Sequence, residues 1–160
     1  MSRELPMPFC TEMVQAIIEG RKNMTRRIKF SGEVGDTIWV REAYAHRTPL
    51  YSGKNCGTEN YVYKADGFFA RPWKSGRFMP RIAARLFLEV TGLRAEPLQD
   101  ISEADAEREG MKKQGAHVYD LPYTFRKGFR FKWDELNAKR GYPWLENPLV
   151  TVVEFKRINA

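Results

Sequence analysis

Ile17-Ile18-Glu19-Gly20-Arg21-Lys22-Asn23-Met24-Thr25-Arg26-Arg27 joins the end of an amphipathic helix pattern to a cationic segment. Within it, Gly20–Arg27 carries four cations, one threonine and one glycine in eight residues. A lysine crowded by arginines is a poor place for another positive charge, so its ammonium form is disfavoured. If such a lysine is also partly buried, it can act as a base near neutral pH. A threonine hydroxyl within its reach can then become a nucleophile. The same residues also suit a phosphate cradle, or a solvated basic strand at the surface. Spacing discriminates among these readings. Residues three apart point to opposite faces of an ideal strand but lie side by side in a helical turn. Lys22 and Thr25 can therefore cooperate only if the segment turns or bulges, and Gly20 leaves room for that.

Upstream, Thr11 reads as a helix cap with Glu12 in the first turn, and Val14, Ile17 and Ile18 recur at helical spacing as far as Gly20. Downstream, Gly35-Asp36 marks a turn before a strand over Thr37–Arg41, and Tyr61–Lys64 reads as another strand. The Gly, Ser and Asn content of Thr48–Asn60 predicts a loop. A second loop, Asp66–Pro80, sets Phe68, Phe69, Trp73 and Phe78 among Arg71, Lys74 and Arg77. Those aromatics suit either base stacking or anchoring of the loop to the core. A strand is expected within Arg81–Thr91, with Leu86, Leu88 and Val90 on one face. Ser102 and Asp105 have capping-box spacing for a helix that ends near Gly110. Phe129, Trp133 and Leu136 form the apolar stripe of a helix over Phe125–Arg140, and Val150–Lys156 closes the chain as a strand. Strands do not alternate with crossover helices. The order therefore predicts an α+β chain, a small mixed or antiparallel β-barrel with flanking helices, as one domain over residues 1–160.

Lys plus Arg number 27 against 20 Asp plus Glu, a net charge of +7, which favours a polyanionic partner such as RNA. Cys10 and Cys56 offer no disulfide framework, and with His46 and His117 they have no metal-ligand spacing. The expectation is a cytoplasmic protein with no metal and no cofactor. Neither a signal-peptide core nor an apolar run of membrane-spanning length is present.

Several segments, in order, resemble the ASCH domains, which have a PUA-like β-barrel fold. They are Ile17–Lys22, Thr25–Arg27, Gly35-Asp36 with Trp39–Glu42, Phe78–Arg81, Leu88–Thr91, Leu98–Glu103 and Val153–Lys156. The chain looks most like the longer ASCH proteins common in phages and prophages. ASCH domains are associated with RNA. A compact branch of the family hydrolyses the amide of N4-acetylcytidine, using Lys and Thr of a Gly-Arg-Lys-x-x-Thr motif and a Glu on a later helix. The resemblance implies Lys22, Thr25 and Glu109 as the catalytic set. Thr25 would attack the acyl carbonyl, Lys22 would carry the proton, and Glu109 would orient Lys22 or relay protons. Arg26, Arg41, Glu42, Tyr63 and Arg81 sit in the matched segments or at strand ends and are the candidate substrate-binding side chains. Arg41 and Glu42 equally fit a charge pair at a strand end. The segments 43–80 and 112–128 look like insertions relative to the compact branch. The implied substrate is a modified nucleoside or RNA. Alternatives are a non-catalytic RNA-binding module and a ribonuclease.

Overall fold

The computed structural model describes residues 1–47, 60–68, 72–115 and 119–159. A five-stranded mixed sheet runs in the order β1-β3-β6-β7-β2, where β1 is Glu4–Pro8, β2 Met24–Arg27, β3 Thr37–Arg41, β6 Phe87–Pro97 and β7 Leu149–Ile158. Only the β1–β3 pair is parallel. A separate ribbon pairs β4 (Tyr44–His46) with β5 (Tyr61–Tyr63). The helices are α1 (Thr11–Ile18), α2 (Glu103–Arg108) and α3 (Phe125–Asn137).

β1 carries little sequence signal because Pro6 and Pro8 cannot donate to a ladder. As an edge strand it tolerates both. The expected strand at Arg81 begins six residues later. Arg81–Ala83 form a 3-10 turn after Pro80, and β6 then runs on to Pro97. A bulge between Val90 and Gly92 shifts the register against β7 and bends the long hairpin. The sheet curls until its two edges come within side-chain reach, as Arg27 of β2 donates to the Pro8 carbonyl at the end of β1 (2.8 Å). The sequence-based loop at 48–60 lies, apart from Asn60, outside the described residues, as do Phe69 and Arg71.

One apolar core joins α1 (Met13, Val14, Ile17), the sheet (Ile38, Val40, Leu88, Val90, Val153, Phe155) and α3 (Phe129, Trp133). Full burial of side chains of this size contributes about 1.5–3 kcal/mol each. Leu136 departs from the expected stripe and is 46% exposed. Cys10, not Thr11, occupies the N-cap of α1, and it makes no side-chain cap. Ser102 does cap α2, accepting from the Asp105 N–H (3.0 Å), while the Asp105 carboxylate is used elsewhere.

Candidate active site

The geometry of the site starts where α1 ends. Gly20 adopts φ +78°, and the chain folds back so that the Arg21 and Lys22 N–H groups both donate to the Ala16 carbonyl (2.9 and 3.1 Å). This turn delivers Lys22 into an isolated antiparallel bridge with Glu109, the C-cap of α2. Gly110 follows at φ +87°, and a Cβ there would lie 2.8 Å from the Ala16 Cβ and 3.1 Å from the Lys22 Cβ. Only a residue without a side chain lets the ends of α1 and α2 abut at this point.

Lys22 and Glu109 are buried, 4% and 3% exposed, so neither is a solvated surface charge. The Lys22 Nζ donates to the Met24 carbonyl (2.7 Å), the Glu109 carbonyl (2.9 Å) and Glu109 Oε2 (2.8 Å). These bonds engage all three hydrogens of an ammonium. Burial lowers the Lys22 pKa below the ordinary 10.5, against the opposing Glu109 charge and hydrogen bond. Arg27 adds to the lowering only as a minor contributor, so desolvation rather than crowding by arginines is the main cause. Arg21 points away, to Glu19 and the Gly110 carbonyl.

Arg26 was expected to bind substrate, but it serves as internal scaffolding. Nη1 donates to Met24 Sδ (3.2 Å) and Glu109 Oε1 (3.0 Å), and Nη2 to Glu96 Oε1 (2.6 Å) and Asp105 Oδ2 (3.1 Å). Burial works against its charge, yet Glu109 and Glu96 outweigh it and raise the pKa, so the guanidinium is a fixed cation. Glu109 is thus held on one oxygen by Lys22 and on the other by Arg26.

A cavity of about 830 Å³ opens against this cluster, within the size range of small-ligand pockets. Lys22, Thr25, Arg26 and Glu109 all border it. Thr25 and Arg27, two apart on β2, share a strand face. Phe9, Phe129, Trp133 and Tyr142 supply aromatic wall, and exposed Leu136 lies at its border.

The other candidates lie elsewhere and do not line the cavity. Arg41 stacks on Trp39 (4.9 Å). Glu42 is 1% exposed and forms a two-pronged pair with Arg85 (3.1 and 2.9 Å). Tyr63 is fully buried, its hydroxyl donating to the Ala83 carbonyl (2.6 Å). Arg81 pairs with Glu4 at the surface. Phe78 is 75% exposed, whereas Trp73 packs on Ala45 and Val62. Sequence reasoning passed over Phe9, Glu96 and Asp105 as parts of the site. Alternation with Thr25 along β2 would have found Arg27; no local signal points to Glu96. Among the described residues no group of three His, Cys, Asp or Glu side chains converges as a metal site would, and no helix is long and apolar enough to cross a membrane.

Two solved structures share this fold. An ASCH domain from Lactobacillus crispatus superposes with a TM-score of 0.53 and 14% identity, covering 99% of this chain and 81% of its own. A protein from Enterococcus faecalis gives 0.51 and 12%, covering 99% of this chain and 77% of its own. No protein-family model and no curated protein sequence matches the chain. The likeness is one of fold, an α+β chain with a mixed sheet similar to that of the ASCH domain.

Proposed function

We propose that this chain is an ASCH-family amidohydrolase whose cavity removes the acyl group from N4-acetylcytidine or a related N4-acylated nucleoside. The observation that carries this reading is the buried Lys22 amine, its pKa lowered, paired with Glu109 on a cavity wall shared with Thr25. Perturbed, desolvated groups beside a void are where acid–base chemistry concentrates. The Gly-Arg-Lys-x-x-Thr motif and the ASCH fold likeness support the same assignment.

In the proposed reaction, Thr25 Oγ1 attacks the acyl carbonyl carbon as its proton passes to the free amine of Lys22. The tetrahedral intermediate collapses with cleavage of the bond to N4. Lys22 returns the proton to N4, and cytidine leaves. The acyl group then remains as an ester on Thr25. Water attacks that ester, Lys22 takes one of the water's protons, and Thr25 recovers it as the carboxylic acid departs and loses its remaining proton to solvent. Glu109 holds the amine in place, and Arg26, fixed by Glu96 and Asp105, holds Glu109. Arg26 acts through Glu109 and is a positioning residue. The base is the deprotonated amine, which gives up one of the three bonds that the ammonium donates to the Met24 carbonyl, the Glu109 carbonyl and Glu109 Oε2, and regains it on taking the proton.

The test is chromatographic. Purified protein incubated with N4-acetylcytidine should release cytidine and acetate, and Lys22→Met or Thr25→Ala should slow this by about 10²–10⁴-fold. No cytidine at high enzyme concentration would end the hydrolase reading, and full activity in Thr25→Ala would end the nucleophile role. An RNA-binding module is the second reading, favoured by the net charge of +7. It predicts affinity for single-stranded RNA that falls steeply with salt.

A further inference from the structure

The cavity is cationic beyond what the proposed chemistry uses. Arg27, Lys29, Arg77 and Arg140 also border it, and they come from three separate parts of the chain. Several arginines elsewhere lie against carboxylates: Arg3 on Asp36, Arg21 on Glu19, Arg81 on Glu4 and Arg85 on Glu42 and Asp66. Lys132, also on the cavity wall, is held by Glu12 and Glu135. Among the described residues, none of the four cations is ion-paired. Glu109, the carboxylate on the same cavity wall, is already shared between Lys22 and Arg26.

Arg27 is the most constrained of the four. Its guanidinium lies 4.8 Å from the centre of the Phe9 ring and donates through Nη2 to the Pro8 carbonyl (2.8 Å). Its Nε is enclosed by protein and has no hydrogen-bond partner. Burial lowers the Arg27 pKa, and the like charge of Arg140 presses the same way, with Glu109 opposing. Two guanidinium groups whose like charges oppose each other thus border one cavity, neither with a carboxylate of its own. Planar guanidinium forks match the oxygens of a phosphate, and a single phosphate can accept from both.

We propose that this cation cluster binds a phosphate group, so that the cavity takes an acylated cytidine as its monophosphate rather than as the free nucleoside. The inference rests on the nucleoside reading above and specifies its substrate class. Arg27 and Arg140 hold the phosphate, with Lys29 and Arg77 at the border. Phe9 and Trp133 supply apolar wall for the rest of the nucleotide. A single nucleotide fits better than a polymer because all four cations border one cavity, whereas a bound strand needs phosphate contacts laid out along a track.

The deciding experiment is calorimetric titration of the whole protein with cytidine 5′-monophosphate, cytidine and inorganic phosphate, at low and then raised salt. The monophosphate should bind at least about tenfold more tightly than cytidine, with the advantage shrinking as salt rises. The ratio should fall toward one in Arg27→Gln and in Arg140→Gln. Arg140 is exposed, so its variant keeps the test valid if the half-buried Arg27 variant misfolds. Equal binding of the two ligands, or binding of neither, overturns the proposal. So does tight binding of a single-stranded oligonucleotide with the mononucleotide silent, which assigns the cations to RNA. Failure here is separable from failure of the hydrolase reading. Hydrolysis of N4-acetylcytidine without phosphate preference removes the anion site alone, and phosphate preference without hydrolysis removes the hydrolase alone.

Discussion

Glu109 and Glu42 are both buried carboxylates gripped by an arginine, 3% and 1% exposed, yet they sit in opposite situations. Around Glu42 the packing is closed. Arg85 binds both carboxylate oxygens, stacks 4.0 Å over the Tyr63 ring and reaches Asp66, and Tyr63 is sealed by its bond to Ala83. Around Glu109 a second cation, the Lys22 amine, is added, and the cluster borders a cavity that Thr25 shares. Burial of charge is common to both. What separates them is a proton-carrying amine beside an open volume. The first arrangement locks a loop ribbon to the sheet, and the second can do chemistry.

The sharpest way to break this comparison is through activity. Glu109→Gln should lower turnover of the acylated nucleoside about 10²–10⁴-fold, while Glu42→Gln leaves it unchanged. In the parent protein, turnover should climb with pH as Lys22 loses its proton, levelling off below the ordinary lysine value of 10.5. Equal losses in the two Gln variants, in a pH–rate series on folded protein, would erase the distinction.

Stability comes next in size. Glu109→Ala strands Lys22 and Arg26 in the interior and should cost about 3–5 kcal/mol in urea unfolding. Glu42→Ala should cost about 1–3 kcal/mol, because Arg85 retains Asp66. Burial holds the Glu42 pKa above its ordinary 4.5, with Arg85 opposing. A raised carboxyl favours the native state fully below 4.5, and that contribution is lost as pH rises through the raised value. The parent should therefore lose stability relative to Glu42→Gln as pH rises from 4.5 through that value, and a constant difference would show that Arg85 cancels the burial. The smallest effect belongs to the surface. Arg81→Ala, which breaks the exposed pair with Glu4, should shift stability by less than about 1 kcal/mol. It should not alter turnover, and a clear drop in activity would return Arg81 to the site.

Local pattern made much of the fold legible. Thr37–Arg41 forms a strand as read, Ser102 caps α2, and Phe129 and Trp133 face the core. Proline concealed β1, and the 3-10 turn at Arg81–Ala83 displaced the start of β6. The site was less legible because its decisive property is tertiary. Nothing near Lys22 says that it is buried, since its burial is made by Glu109 and Gly110 from another part of the chain. For the same reason a place in a matched segment or at a strand end does not reveal that Glu42 and Tyr63 lie in a second, closed cluster away from the cavity.

The abutting ends of α1 and α2 also bear on timing. Lys22 and Glu109 are 87 residues apart, so their bridge closes a long loop late in folding. Before that closure Lys22 is an ordinary hydrated lysine with an ordinary pKa. During synthesis, the reactive amine cannot exist until the ribosome has released the chain past Gly110 and the two helix ends have docked. A nascent or partly unfolded copy therefore lacks the buried pair, and the lowered pKa of Lys22 reports completed folding of the region around it.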